Sequence, residues 1–338
     1  MVNTLNAYKI SQSNLLRNAC KKNVQNLRLQ LNVDITNYRS RTISLHAKRQ
    51  LILHSKQLFT TNKNNLNQLL KDNINKIWEL TQIPGPNPEP IRTPNKKALL
   101  IGINYTGTRN QLNGCINDTN AVGNYLIGKG FTIKKINDLT HQQPIRSTIL
   151  EEFKNLLDNS IAGDVLYLMF SGHGYTQTDT NNDETSGKDQ LIIPLDLKPI
   201  LDDELKNIIN QNLKKDVTLI ALFDSCYSGT ILDLKYQYLD SLNYDAATIN
   251  DKESETNGRV FMISGCTDKQ TSEDAYINNT YNGALTWSYL QALTNNLSIR
   301  TWRELIKTMR DTLKSNKYSQ TPQFSCGLST NIDEPVFW

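Results

Sequence analysis

The sequence predicts an α/β fold built on a mostly parallel sheet, with a helical or irregular extension at its N-terminus. Three observations carry that reading. From residue 96 onward, short continuous apolar runs alternate with helix-like stretches. A proline-dense segment precedes them. The residues before that segment have a charge balance of their own. The chain therefore divides into a basic region at 1–81, a linker at 82–95 and an α/β domain at 96–338.

The first 81 residues hold 13 Lys+Arg against 3 Asp+Glu, a net of +10, whereas the rest holds 24 against 30, a net of −6. Leu66, Leu69, Leu70, Ile74, Ile77 and Trp78 recur at three- and four-residue steps, as one face of a helix does. A basic region of this kind suits nucleic acid, an acidic membrane surface or the acidic remainder of its own chain. A solvated helical extension accounts for it equally well. It is long and Asn-rich for a mitochondrial transit peptide. The linker follows, with Pro84, Pro86, Pro88, Pro90 and Pro94 holding the chain extended and poorly able to pair.

Beyond it, Ala98–Ile103, Val165–Phe170, Val217–Phe223 and Val260–Ile263 read as strands buried on both faces, and Phe131–Ile136 as a weaker one. Ile116–Ile127, Ile145–Leu157, Asp202–Leu213, Ala284–Leu293 and Trp302–Leu313 read as helices between them. This alternation argues a parallel sheet covered on both sides. The polar stretches Gln177–Lys188 and Asp240–Gly258 read as surface loops.

Five cysteines, at 20, 115, 226, 266 and 326, form no CxxC pair, so neither a structural zinc site nor a disulfide framework is expected. No apolar run approaches the roughly 20 residues that span a bilayer. The N-terminus has no apolar signal-peptide core. A soluble, cytoplasmic protein is expected. The chain contains no GxGxxG or GxxxxGK[ST] phosphate loop, no HExxH and no GxSxG. His46, His54, His141 and His173 suggest no metal cluster.

Two strand ends carry the chemistry. Phe170 is followed by Ser171-Gly172-His173-Gly174, and Phe223 by Asp224-Ser225-Cys226-Tyr227-Ser228-Gly229. Ligands of open parallel sheets bind beyond the carboxyl ends of the strands. If the two strands are neighbours, His173 and Cys226 enter one crevice. An imidazole can take the thiol proton and then stabilise the thiolate. The adjacent glycines permit sharp turns, and the N–H groups of Gly174 and Cys226 are candidates to bind an oxyanion. Either residue alone would more readily be a buried thiol or a satisfied histidine.

These segments, with Lys97-Ala-Leu-Leu-Ile-Gly-Ile-Asn-Tyr105, resemble the type I metacaspases, caspase-like cysteine peptidases. The resemblance runs from about Lys96 to the C-terminus. His173 and Cys226 lie 53 residues apart, near the roughly 50 of caspases. The caspase pentapeptide is absent, and Tyr227 stands where many family members have His.

The resemblance implies a caspase-like three-layer sandwich and a His173–Cys226 dyad working through a thioester. It also implies cleavage of protein or peptide substrates after Arg or Lys. Cys115, Asp118, Ser171 and Asp224 match the substrate pocket. Two carboxylates would hold a guanidinium or ammonium by charge-assisted hydrogen bonds. Alone, Asp118 would equally be a helix N-terminal carboxylate and Asp224 a turn former. The family's calcium ligands carry over to Asp189, Asp202, Asp203 and Asp233, hard oxygens suited to Ca²⁺. Acidic residues are also ordinary where Asp202-Asp203 opens a helix.

Self-cleavage is implied after a basic residue: Lys235, Lys252 or Arg259, or Lys76, Arg92, Lys96 or Lys97 near the linker. The N-terminal segment is expected as an intramolecular partner of the acidic pocket. No specific nucleic-acid partner and no membrane span are expected, and the chain is expected to be a monomer. The rival reading is a non-catalytic caspase-like regulator or adaptor; it predicts loss of His or Cys, and both are present.

Overall fold

The computed structural model describes residues 2–40, 45–79, 94–179, 187–238, 247–265, 274–277, 280–295, 299, 301–330 and 332–336. The linker segment 80–93 and Cys266 lie outside them. The chain forms two compact units. The first comprises residues 1–94 with Leu126–Phe131, and the second is the remainder.

In the first unit, α1 (Val2–Ser40) and α2 (Leu45–Trp78) form a long antiparallel hairpin. Residues 1–81 contain no glycine or proline, so nothing in the backbone interrupts the helices. Ser13, Leu16 and Cys20 are buried at three- and four-residue spacing. Lys9 Nζ donates to Trp78 O at 3.0 Å, and Cys20 Sγ lies 3.9 Å from Leu66 O, which fixes the antiparallel pairing.

The second unit runs β1 (Lys96–Gly102), α3 (Cys115–Gly128), β2 (Thr132–Asn137), α4 (Arg146–Asp158), β3 (Val165–Ser171), β4 (Gly174–Thr178), β5 (Lys188–Ile192) and β6 (Ile200–Leu201). It continues with α5 (Asp202–Asn212), β7 (Thr218–Asp224), β8 (Tyr236–Tyr238), β9 (Thr248–Ile249) and β10 (Arg259–Ser264). It ends with β11 (Asp274–Ile277), β12 (Thr280–Gly283), α6 (Ala284–Asn295), α7 (Trp302–Ser315) and β13 (Gln323–Cys326). Among the described residues the main sheet has the order β2-β1-β3-β7-β10-β13-β8-β9. Its first five strands are parallel; β13, β8 and β9 add on antiparallel.

The sheet is the middle of three layers. Successive side chains of a strand point to opposite faces. Leu99, Ile101, Leu166, Leu168, Leu219 and Ala221 share one core with Ile149, Phe153 and Leu157 of α4 and Leu205 and Ile209 of α5. On the other face Phe261 stacks on Trp302 of α7 at 4.8 Å, and Trp302 on Phe324 at 5.3 Å. A Thr301–Glu304 capping box starts α7, each residue's side chain accepting from the other's backbone N–H at 3.2 Å.

The strands and helices expected from apolar patterning are present to within two residues at each end. Three expectations need correction. Asp240–Gly258 is not a loop throughout: Thr248–Ile249 within it form β9, paired antiparallel with β8. Gln177–Lys188 is not a loop throughout: Gln177 lies in β4 and Lys188 opens β5, paired antiparallel. The polar sequence there fits strands whose outer face meets solvent. Several basic residues proposed for self-cleavage lie in regular structure instead of loops. Lys96 and Lys97 are in β1, Lys76 is in α2, and Arg259 is in β10 with an ion pair to Glu334. Lys252 sits in an exposed turn, and Arg92 lies outside the described residues.

Candidate active site

Strands β3 and β7 pair in parallel with Ser171 opposite Asp224, so the segments carrying His173 and Cys226 leave the same edge of the sheet side by side. Gly172 N donates to Asp224 O at 3.3 Å. Gly174 then lies against the backbone of Cys226. A Cβ built on it would stand 2.2 Å from Cys226 O, so only glycine fits. Tyr227 takes the left-handed conformation at φ 52°, which turns the chain immediately after Cys226. Cys226 is partly exposed, as an attacking thiol must be.

His173 is held from three sides. Its Nε2 is 2.8 Å from Asn110 O. A carbonyl only accepts, so Nε2 carries the hydrogen and Nδ1 is the nitrogen left to take a proton. The loop bearing Asn110 is pinned in turn by Asp138, which accepts from Asn104 N and Thr106 N, both at 2.9 Å. Tyr105 lies beside the imidazole with ring centroids 4.7 Å apart. Its hydroxyl accepts from His173 N at 3.0 Å and donates to Ile193 O at 2.5 Å. Burial pushes the Tyr105 phenol well above its ordinary pKa, so it stays protonated and able to donate.

Tyr105→Phe leaves two partly buried backbone groups, His173 N and Ile193 O, without that partner, each at the lower end of about 1–3 kcal/mol. We expect kcat to fall about tenfold or more with KM little changed, because the histidine and not the substrate pocket loses its support. Unchanged kcat in steady-state kinetics would remove Tyr105 from the site.

The predicted carboxylates meet. Asp118, in the first turn of α3, and Asp224, at the end of β7, are 1% and 4% exposed. Ser171 Oγ donates to Asp118 Oδ2 at 2.9 Å. Gly283 N lies 3.0 Å from both Asp118 oxygens. Asp224 Oδ2 accepts from Thr286 N at 2.9 Å and Thr286 Oγ1 at 2.7 Å. A Cβ on Gly283 would fall 2.0 Å from Asp224 Oδ2 and 2.9 Å from Asp118 Oδ2, so the two oxygens are no further apart than those distances together. Cys115, buried, opens the same helix as Asp118. Gly283 and Thr286 had no signal in the sequence, because they lie far along the chain from both acids. Tyr105 stood inside a quoted motif but without a role.

The four aspartates matched to calcium sit around one corner. Asp202 Oδ2 accepts from Gln190 N, next to Asp189, and Asp202 Oδ1 accepts from Asp203 N at 2.9 Å. The Gln190 side chain accepts from Thr230 Oγ1 at 2.5 Å, and Asp233 N donates to Thr230 O at 2.7 Å. Lys206, one turn beyond Asp202, donates to Asp233 O. Asp189, Asp202 and Asp233 are buried. The donor type suits a hard cation. Among the described residues, however, no three His, Cys, Asp or Glu side chains are gathered to hold a metal. Likewise, no described helix is long and apolar enough to cross a membrane. Cys20, Cys115, Cys226 and Cys326 are not in disulfides.

Residues 96–235 match the family described as metacaspase, peptidase C14 domain. Metacaspase-1 of Scheffersomyces stipitis is 35% identical over 285 residues, covering 68% of this chain and 70% of that protein. Metacaspase-1 of Ajellomyces capsulatus is 33% identical, covering 71% and 82%. Metacaspase-1A of Aspergillus fumigatus is 34% identical, covering 71% of each. A crystal structure of a Geobacter sulfurreducens protein superposes with a TM-score of 0.55 at 23% identity, over 72% of this chain and 98% of that one, a likeness of fold.

Proposed function

The chain belongs to the metacaspase family of caspase-like, cysteine-type peptidases, and from that premise we propose that it is a calcium-activated endopeptidase cutting after Arg or Lys through His173 and Cys226. The observation that carries the specificity is the pair of buried carboxylates, Asp118 and Asp224, beside the thiol's strand. A substrate guanidinium or ammonium entering there would be met by two negative charges in a low-dielectric site. Charge-assisted hydrogen bonds are worth more there than in water.

In the proposed reaction, His173 Nδ1 takes the Cys226 thiol proton. The thiolate attacks the carbonyl carbon of the basic residue, and its oxygen becomes an oxyanion that the Gly174 and Cys226 N–H groups would stabilise. The C–N bond breaks as His173 returns the proton to the leaving amine, leaving a thioester on Cys226. Water, deprotonated by the same nitrogen, then hydrolyses it. Calcium would be held by the hard carboxylate oxygens of Asp189, Asp202, Asp203 and Asp233; no bond-making step involves it. Self-cleavage fits Lys252 best, on its exposed turn. The N-terminal hairpin, +10 against −6 for the rest, has the charge to act as an intramolecular regulator of the acidic pocket.

Peptides releasing a fluorophore after Arg, Lys or Asp test this directly, with calcium and with chelator under reducing conditions. Cleavage after Arg and Lys but not Asp, dependent on calcium, is expected. Calcium should also raise the melting temperature of Cys226→Ala, and Asp233→Asn should remove that rise. Cleavage after Asp would overturn the pocket assignment. An unchanged melting curve would overturn the calcium assignment.

A further inference from the structure

Resting on the reading of Asp118 and Asp224 as a cation pocket, we propose that Thr286 is a specificity-determining positioning residue. With Gly283 it forms a third wall that holds both carboxylates ready for a guanidinium.

The two acids come from different elements, α3 and β7, and their facing oxygens crowd around Gly283. Left to themselves, two buried carboxylates at this range repel. They would relax by turning or drifting apart, and either loosens the site. The segment Tyr281–Thr286 opposes both responses. Asn117, next to Asp118, donates to Tyr281 O at 2.9 Å and ties the segment to α3. Gly283 N chelates Asp118, both of whose oxygens lie 3.0 Å away. Thr286 N and Oγ1 converge on a single oxygen of Asp224.

Thr286 lies in the first turn of α6, whose free N–H groups carry partial positive charge. The hydroxyl adds a second donor to the backbone N–H on the same Asp224 oxygen, and so strengthens the hold on that atom. Thr286 is 1% exposed and its hydroxyl is already 2.7 Å from Asp224 Oδ2, so it acts on substrate through that carboxylate. The steric side of the same wall is Gly283. Any side chain there strikes Asp224 Oδ2.

The chemistry chooses the better ligand. A guanidinium is a planar fork that needs fixed oxygens at set angles, whereas an ammonium is a point charge that tolerates a mobile partner. Removing the Thr286 hydroxyl should therefore hurt Arg more than Lys.

The test compares wild type, Thr286→Val, Thr286→Ser and Gly283→Ala as full chains, on matched Arg and Lys peptides. Valine keeps the shape and loses the donor. We expect KM for the Arg peptide to rise about tenfold or more, as loss of a hydrogen bond to a charged group would give, with kcat nearly unchanged. The Arg-over-Lys preference should shrink, Thr286→Ser should restore it, and Gly283→Ala should do worse than valine. Iodoacetamide, which has no cation, should alkylate Cys226 at the wild-type rate in all four.

Benzamidine binding to Cys226→Ala, followed calorimetrically, separates the two levels of the claim. Wild type that cleaves after Arg and binds benzamidine, together with a Thr286→Val variant that does both equally well, overturns the role of Thr286 alone. Wild type that neither cleaves after Arg nor binds benzamidine overturns the cation pocket, and this inference with it. A uniform fall in kcat with slowed alkylation would reduce Thr286 to a general structural residue.

Discussion

Replacing Cys226 by alanine is expected to reduce peptide cleavage by about ten-thousand-fold or more, to the background of the assay, without unfolding the protein. The size follows from the chemistry. With no thiolate there is no acyl-enzyme, and what remains is the weak effect of binding and oxyanion donors. The sparing of the fold follows from the site. Cys226 is partly exposed, and the turn around it is made by backbone, by Ser228 Oγ donating to Ser225 O at 2.8 Å and by the left-handed Tyr227. His173→Ala should match it in activity, since a thiol without its base is a poor nucleophile at neutral pH. The check is steady-state kinetics beside thermal melting. Residual turnover above a hundredth of wild type in Cys226→Ala would mean that another residue performs the attack.

Neutralising the acid pair should have the second-largest effect. Asp118→Asn and Asp224→Asn are each expected to lower kcat/KM for Arg peptides by about a hundredfold. That is the lower end of the scale for removing a buried charged partner, where about 3 kcal/mol corresponds to a little over a hundredfold. Iodoacetamide should still alkylate Cys226 at the wild-type rate, because the pocket and the nucleophile are separate functions. The amide also reverses part of the local hydrogen bonding, since its NH₂ cannot accept from Gly283 N or Thr286. The double variant should fall short of the product of the two losses, because the residues share Gly283 and act as a unit. Equal cleavage after Arg in wild type and both variants would remove the two aspartates from specificity.

The strands of the core were readable for a simple reason. Parallel strands covered on both faces must be apolar at nearly every position, and LLIG, LYLMF, LIALF and VFMI are. Helices α4, α5 and α7 advertised themselves by period, each with one buried face. The missed elements, among them β4, β5 and β13, are short, and these three carry polar residues such as Thr176, Gln177 and Ser325. Their identity as strands comes from pairing with partners elsewhere in the chain. A local window does not contain that partner.

The site divides in the same way. By itself the sequence determined the reactive types and their placement at strand ends: Ser171-Gly172-His173-Gly174 after one apolar run, Asp224-Ser225-Cys226 after another, and Asp118 opening a helix. A strand that ends in a turn at the sheet edge must expose whatever follows it, so these residues were legible in order. Only the tertiary structure decided that β3 and β7 are neighbours and that Asn110 and Tyr105 hold the imidazole. It alone decided that Gly283, at the end of β12, and Thr286, in the first turn of α6, hold two buried carboxylates together. Those are hydrogen bonds between residues tens of positions apart or more. Buried charges must find donors wherever packing brings them, and packing is set by the whole chain and not by the neighbours of any one residue.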